Sequence, residues 1–425
     1  MEDVVQRLIQ CIDEHIHDYQ KQWQQQREIW HTIASANEKN EVAKALVALA
    51  SSYGVESRIH AQPHNGIYGA WGEQAAPVVF IYVPVRQPGK KYLAILATWL
   101  VAIASYQKVL GTLPIQIHYI LVNGDKASGQ QLADLYSQAQ PQTHNHLGCI
   151  WYSEESIRAS PPLFALGCKG ILDVELRART ATEPLASTHG AVVPNALWRL
   201  AWAINALKNA QEEILIPGFY DDVQPEADQQ IAVLHTLPMC LQQYIQAQGI
   251  AQPLLGLQGF QFHYAHLLLP TCSISGLEED GTAEEPRKLP AQAQVHVHFH
   301  LVSQQDPDDI YRKLQTYLQQ QGFSDIGIQK NMARLPRQTP RHEPFIQAMQ
   351  ESCCRVYGAQ NYVVPLSAGS YPIESIAPGK NIPIVFDLST FNPYGEDSPE
   401  QTAAMTTQIK QIAVLLYKMQ SLAKK

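Results

Sequence analysis

Val78-Val-Phe-Ile-Tyr-Val83, a helical stretch from Lys91 to Leu110, and Ile115-Gln-Ile-His-Tyr-Ile-Leu-Val122 follow one another in the first third of the chain. The two short runs are rich in β-branched and aromatic residues, which favour strands. The stretch between them has the length and apolar content of a buried helix. Strand, helix and strand on this spacing predict a parallel sheet with helical crossovers, so the predicted fold class is α/β, doubly wound.

The sequence pattern changes at Gly170. Ile171-Leu-Asp-Val-Glu-Leu-Arg177 and Ala293-Gln-Val-His-Val-His-Phe-His-Leu-Val302 largely alternate between apolar and polar residues. This alternation is typical of strands with one covered and one solvated face. Helices are predicted over residues 194–209 and 226–248, and Asp306-Pro-Asp-Asp-Ile310 opens another, because carboxylates are favoured at a helix N-terminus.

Beyond Arg341 the pattern predicts a helix over 344–357, a buried strand at Ile382-Pro-Ile-Val-Phe386 and a last helix over 399–424. We therefore predict a discontinuous α/β domain, residues 1–169 and 334–425. An inserted α+β lid or dimerisation domain, residues 170–333, is predicted to interrupt it.

Size and charge narrow the range of functions. A chain of 425 residues is too long for one hydrophobic core, so two domains are expected. The net charge of −8 and the scattered Lys and Arg residues argue against nucleic acid as a partner. The longest apolar run, Tyr92 to Ser105, is too short for a bilayer span, and the first twenty residues lack a signal-peptide pattern. Seven cysteines without a Cys-x-x-Cys pair indicate reduced thiols. We expect a cytoplasmic protein without a membrane partner.

Four segments carry a resemblance to a known family: Pro161-Pro-Leu-Phe-Ala-Leu-Gly-Cys-Lys-Gly170, His189-Gly-Ala-Val-Val-Pro-Asn195, Leu215-Ile-Pro-Gly-Phe-Tyr-Asp-Asp-Val223 and Leu301-Val-Ser-Gln-Gln-Asp-Pro-Asp308. As a series they resemble the di-zinc metallopeptidase family of carnosinases, acetylornithine deacetylases and aminoacylases, over roughly residues 15–420. The resemblance implies a doubly wound catalytic domain with an inserted lid that often dimerises. A homodimer through the lid is therefore expected.

The zinc-binding positions that the resemblance implies hold the wrong residue types. Active members bind two Zn²⁺ through imidazole and carboxylate ligands, and a Glu acts as general base to the bridging water. The first motif, Tyr-Gly-His-x-Asp-x-x-Pro, matches Tyr82-Val-Pro-Val-Arg-Gln-Pro88, which puts Pro84 at the His ligand and Arg86 at the nearby Asp. Proline offers no side-chain donor, and Arg stays charged and repels a cation.

Other implied positions are altered as well. In the family, the bridging Asp follows the first motif after a substrate-covering loop. Here only residues 87–90 precede the next helix, so about twenty loop residues are missing. Lys91 and Tyr92 therefore stand near the position of the bridging Asp. The general base and its neighbour match Lys126-Ala127, the fourth ligand matches Ser153, and the last His matches Glu396 or Asp397. In the lid, Leu185 replaces a His and His300 replaces a substrate-binding Arg, while the Arg-Glu-Gly-Gly-Ser segment reads Leu366-Ser-Ala-Gly-Ser370.

The leading hypothesis is a catalytically inactive homologue that acts as a binding or interaction protein, without a cofactor. Its cleft would be lined by Arg86, Lys91, Lys126, Ser153 and His300. Because Lys and Arg pair with carboxylates, we expect a small anionic amino-acid or peptide ligand. The alternative is a metallopeptidase or amidohydrolase, dipeptidase-like or deacylase-like, with a reorganised site. A third hypothesis is a structural subunit that binds a partner protein at the edge strand of its lid sheet.

Two metal sites remain as weaker alternatives. A reorganised oxygen-rich site could bind a divalent metal through carboxylates near the implied zinc-ligand positions. These carboxylates are Asp125, Glu154, Glu155, Glu396 and Asp397. His296, His298 and His300 share one face of a predicted strand, where imidazoles at alternate positions chelate Zn²⁺ or Ni²⁺. The simpler interpretation of these histidines is the solvated face of the lid sheet. No Gly-x-Ser-x-Gly elbow supports serine hydrolysis.

Overall fold

The computed structural model describes residues 2–35, 39–62, 66–73, 76–85, 91–123, 129–139, 145–157, 163–225, 228–237, 245–246, 248–280, 288–358, 362–376, 382–389 and 399–423. The strands are β1 Ser57–Gln62, β2 Gly66–Trp71, β3 Val78–Val85, β4 Gln116–Asn123, β5 His146–Ile157, β6 Leu163–Ala165, β7 Gly167–Cys168, β8 Gly170–Arg179, β9 Leu185–Ala186, β10 Thr271–Glu279, β11 Lys288–Leu289, β12 Gln292–Leu301, β13 Gly327–Arg334, β14 Arg337–Gln338, β15 Tyr362–Val364 and β16 Ile384–Ser389. The α-helices are α1 Glu2–Ser35, α2 Lys39–Ser52, α3 Lys91–Leu110, α4 Gly129–Ala139, α5 Ala196–Asn205, α6 Asp228–Thr236, α7 Gly259–Leu268, α8 Pro307–Gln320, α9 Pro344–Tyr357 and α10 Pro399–Ala423.

The chain divides into two compact units. The first consists of Met1–Leu166, Thr339–Val364 and Pro372–Lys425, and the second of Gly167–Gln338 and Pro365–Tyr371. The short segment Pro365–Tyr371 joins the second unit because Ser367 bridges to Cys168 and the Lys169 N–H donates to the Gly369 carbonyl at 3.0 Å. The sequence pattern does not predict this addition.

An eight-stranded sheet forms the centre of the first unit, in the order β1-β2-β4-β3-β5-β16-β6-β15. β4, β3, β5 and β16 are parallel. β1 pairs antiparallel with β2, β2 with β4 and β6 with β16, whereas β15 pairs parallel with β6. β3 is buried on both faces: Val79 and Ile81 pack into the core that contains α3, and the Phe80 ring meets Tyr136 of α4 at 5.7 Å. An apolar strand covered on both sides is what a doubly wound sheet requires. The predicted α/β class is confirmed.

The second unit is built on a four-stranded antiparallel sheet in the order β10-β12-β8-β13. On β12 the odd positions from Ala293 to Leu301 are buried and the even positions from Gln294 to His300 are partly exposed. Helix α5 packs against β8 and β12, and α8 packs against β8 and β13, so both helices cover the apolar face. The other face carries the polar side chains, as the alternation predicts.

Local capping residues determine where the helices of the second unit begin. The predicted helix over 194–209 starts at Ala196, because the Asn195 side chain accepts hydrogen bonds from the N–H groups of Leu197 and Trp198. Asp306 caps α8 in the same way, as its position before Pro307 predicts. Each such cap contributes about 1 kcal/mol. The sequence pattern predicts a single helix over 226–248. In the structure, α6 begins at Asp228 and ends at Thr236, and residues 238–244 lie outside the described residues.

Within the described residues, no helix has both the length and the apolar content that a membrane span requires.

Candidate functional site

The candidate site lies at the carboxyl edge of the parallel strands β4, β3, β5 and β16. In a parallel sheet the segments that follow the strands meet at this edge, which is where α/β folds bind ligands. Residues 86–90 follow β3, 124–128 follow β4 and 390–398 follow β16. These three segments lie outside the described residues, together with the predicted site residues Arg86 and Lys126 and with Asp125, Glu396 and Asp397.

The structure places Pro84 next to the last residue of β3, in register with Val122 of β4. This is the strand position at which the resemblance implies a histidine ligand. Lys91 is the first residue of α3, the helix that follows β3 in the chain, and Ser153 lies in β5 with Glu154 and Glu155. For Lys91, Ser153 and the two glutamates the structure describes the backbone position and not the side chain.

Buried aromatic side chains lie on the strands just before this edge. The rings of Tyr82 and Trp151 stack with their centroids 3.6 Å apart, across the pairing of β3 with β5. The Trp99 indole N–H of α3 donates to the Tyr152 hydroxyl at 2.8 Å. All four side chains are buried, so rigid apolar packing underlies the candidate site.

Asp387 is a buried carboxylate at the same edge that our sequence interpretation missed. It lies on β16 in register with Tyr152, and only 5% of the residue is exposed. Burial raises the pKa of the Tyr152 hydroxyl, and the nearby Asp387 carboxylate raises that pKa further. The available signal was one Asp within the apolar run Ile384-Val-Phe-Asp-Leu388, because a charge in a buried strand requires polar partners.

His300 belongs to the second unit, on the polar face of β12. Burial first, and then the positive charge of Lys169 and the neighbouring His298, together lower its pKa to about 4. Lys169 is 2% exposed, and its Nζ donates to the carbonyls of His266 at 2.9 Å and Leu269 at 2.6 Å, at the end of α7. His300 is therefore neutral near pH 7, so it offers a hydrogen bond rather than a positive charge.

The three alternating histidines do not converge on one point. The rings of His296 and His298 lie parallel with centroids 6.3 Å apart, and each ring has its Nδ1 near Asp173, at 3.5 and 3.3 Å. His300 instead meets the Thr271 hydroxyl at 3.5 Å. The structure describes all three histidines, and among the residues it describes no group of three or more His, Cys, Asp or Glu is arranged to hold a metal ion.

Known proteins of similar sequence are dipeptidases. The mouse protein Beta-Ala-His dipeptidase is 23% identical over 233 residues, which are 52% of this chain and 45% of that protein. The human protein of the same name is 23% identical over 192 residues, 44% of this chain and 37% of that protein. The matched region thus spans less than half the length of these relatives. No family model matches the chain.

Solved structures extend the likeness to the whole chain. The di-peptidase Dug1p from Saccharomyces cerevisiae superposes with a TM-score of 0.71 at 15% identity, over 99% of each chain. This chain has the fold of the M20 metallopeptidases. Human carnosine dipeptidase 1 gives a TM-score of 0.68 at 14% identity, over 98% of this chain and 99% of that one. The M20 metallo-carboxypeptidase Sso-CP2 from Sulfolobus solfataricus gives 0.65 at 22% identity, over 89% and 94%.

The resemblance to the di-zinc peptidase family that the sequence motifs indicate is thereby confirmed at the level of the fold. Identities below 25% do not establish a shared activity, since one fold hosts many functions.

We predict that the His300 imidazole titrates at a pH of about 4, against 6.5 for an ordinary histidine, in a proton NMR titration. Because its folded-state pKa is lowered, His300 contributes stability above pH 6.5 that is lost as the pH falls toward 4. Lys169→Met removes the neighbouring positive charge and should raise the pKa of His300. Titration of the wild-type ring near 6.5 would contradict this description.

Proposed function

We propose that this chain is an M20-fold protein that has lost two-metal hydrolysis and acts by binding. The observation that carries the proposal is Pro84 at the carboxyl end of β3. Strand ends are where the fold presents side chains to the site, and a proline there has no atom that binds zinc.

The remaining implied positions support the same proposal. Ala127 has no donor, Ser153 is a poor zinc ligand, and Arg86 and Lys126 bring positive charge where two cations would bind. These residue types do not fit a two-zinc centre.

The ligand we propose is a small anionic amino acid or peptide. Arg86, Lys91 and Lys126 follow the carboxyl ends of neighbouring parallel strands, and both Arg and Lys pair with carboxylates. Lys91 also opens the twenty-residue helix α3, whose N-terminus carries partial positive charge. The relatives named Beta-Ala-His dipeptidase act on a dipeptide, which agrees with a peptide-sized ligand.

A metallopeptidase or amidohydrolase with a reorganised site is the second candidate. The observation that favours it is Asp387, a buried carboxylate at the same edge, next to Tyr152. Carboxylates following nearby strands, such as Asp125, would have to supply further ligands. This candidate requires hydrolysis that chelators abolish and that Asp387→Asn removes.

A cytoplasmic location is part of the proposal. It is supported by the thiols, since the six cysteines that the structure describes are all free and five of them are buried.

We predict that protein purified without chelator or metal resin contains well below one zinc ion per chain and does not hydrolyse β-alanyl-histidine. Elemental analysis and amino-acid release with added Zn²⁺ or Mn²⁺ measure the two properties. Two zinc ions per chain together with chelator-sensitive hydrolysis would refute the loss of metal chemistry and favour the second candidate.

We predict that N-acetylglutamate binds in a calorimetric titration, and that Lys126→Gln or Arg86→Gln weakens binding about ten- to a hundredfold. A lost charge-assisted hydrogen bond costs about 1.5–3 kcal/mol, and 1.4 kcal/mol is tenfold. The control Lys208→Gln removes a lysine of the second unit and should leave affinity unchanged. An unchanged affinity in both site variants would exclude the proposed cleft.

We also propose that two copies associate through the inserted unit. Trp198 and Trp202 of α5 are 61% and 54% exposed, with their rings 6.0 Å apart. Beside them, a groove of about 350 Å³ is lined by Asn195, Leu197, Trp198, Ala201, Ile204 and Leu277. Ile274 of β10 is 56% exposed on the helix-bearing face, in register with buried Val297. A protruding Trp next to an apolar groove suits a two-fold interface, in which the same surface meets itself.

The expected mass in solution is twice the chain mass of 47.5 kDa, measured by light scattering. Trp202→Ala combined with Leu277→Ser should yield monomers, because it removes both the protruding ring and one wall of the groove. Leu254→Ala changes an apolar side chain that is 58% exposed and outside the groove, and it should leave the mass unchanged. A monomeric wild-type protein would contradict the proposal.

A further inference from the structure

Three side chains on the polar face of the second unit contact one another in series across three strands: a hydrogen bond joins Ser275 to His298, and His298 lies within ion-pair distance of Asp173. Ser275 of β10 has its Oγ 2.5 Å from Nε2 of His298 on β12. Nδ1 of the same ring lies 3.3 Å from Oδ2 of Asp173 on β8. Serine, histidine and aspartate thus lie in line, with the imidazole between the hydroxyl and the carboxylate.

This order of contacts gives each residue a chemical role. The Nδ1 side of the His298 ring faces the Asp173 carboxylate, and its Nε2 faces the Ser275 hydroxyl. In the tautomer that carries its proton on Nδ1, Nε2 is the acceptor for the serine proton. A serine oxygen beside a neutral imidazole nitrogen is activated as a nucleophile, because the ring takes the proton as the oxygen attacks. His298 is 27% exposed and Asp173 17%, so the base is partly shielded while Ser275 is open to solvent.

The backbone at Ser275 also differs from a regular strand. The register of β10 with β12 shifts between Ser275 and Glu278, and Gly276 has a φ of 59°. A Cβ at Gly276 would lie 3.2 Å from the His296 ring in addition to being strained by that φ. The irregularity follows Ser275 directly, and residues 273–279 of β10 are exposed, so a small substrate can reach the serine.

Asp173 is held between two imidazoles. Its Oδ1 faces Nδ1 of His296 at 3.5 Å, and the Asn331 amide lies 3.5 Å from the same oxygen. These contacts leave Oδ2 for His298. Asp173 acts through His298 and is therefore a positioning residue.

We propose that Ser275, His298 and Asp173 form a metal-independent acyl-transfer site for esters of short carboxylic acids with good leaving groups. The Ser275 Oγ forms a bond to the acyl carbon while its proton passes to His298 Nε2. The carbon–oxygen bond to the leaving group then breaks, and the departing oxygen takes that proton. Water attacks the acyl-serine with His298 again accepting a proton, which releases the acid and restores Ser275.

The site is separate from both surfaces proposed above. Ser275 and His298 lie on the face of the sheet opposite α5, whereas Trp198, Ile274 and Leu277 lie on the α5 side. It contains no residue of the carboxyl edge of β3 and β5. Its failure would therefore leave the binding proposal intact, and the reverse also holds.

The test uses the full chain, a fluorophosphonate probe and p-nitrophenyl acetate. The probe's phosphorus bonds to the activated serine oxygen as fluoride leaves, and peptide mass spectrometry should locate the adduct on Ser275. Ester hydrolysis should persist in chelator and disappear with Ser275→Ala. His298→Gln should slow labelling about 10²–10⁴-fold, the usual contribution of a general base.

A matched control and a positioning variant separate this role from a structural one. Ser273→Ala changes the neighbouring serine on β10 and should label within about threefold of wild type. Asp173→Asn should slow labelling with the melting temperature unchanged. An unlabelled Ser275 in folded wild-type protein, or labelling unaffected by His298→Gln, would overturn the proposal.

Discussion

The parallel pairing of β3 with β4 on one side and β5 on the other is the constraint on which the first unit depends. Because β3 is hydrogen-bonded along both edges and covered on both faces, its side chains must be almost entirely apolar. The same pairing sends the chain after each strand to one edge of the sheet. That edge is the only part of these strands at which polar side chains can face a ligand without the cost of burial.

Because the strand ends meet at one edge, substitutions at the end of each strand act on the same candidate site. Pro84 stands at the end of β3, and Arg86 and Lys126 follow the ends of β3 and β4. In a fold whose relatives are named dipeptidases, positive residues replace implied metal ligands at the same edge. Replacing cations by side chains that carry the same sign of charge retains attraction for a carboxylate while removing the Lewis acid. The change from catalysis to binding that we propose would need no change in the sheet itself.

The second unit depends on a different constraint, the alternation of side chains in an antiparallel sheet. Apolar residues of β8 and β12 face α5 and α8, so their polar neighbours are concentrated on the opposite face. There the environment of each histidine is set by its contacts. His300 is neutral because it is partly buried and near Lys169, whereas His298 lies between a serine and a carboxylate. Three residues of one type on one strand therefore have different chemistry.

Much of the architecture was predictable from local sequence, because periodicity and capping depend on neighbouring residues. The α3 bounds, the alternation of β12 and the Asp306 cap follow directly from the residue pattern. The positions at which this chain differs from the zinc-binding motifs can also be identified from the sequence, because they are changes of residue type. What only the tertiary structure decided is which distant residues meet. Asp387 beside Tyr152, Lys169 at the end of α7, and Asp173, Ser275 and His298 in line all depend on strand order and register. Strand order reflects how whole elements bury their apolar faces together, and no short window of sequence contains that information.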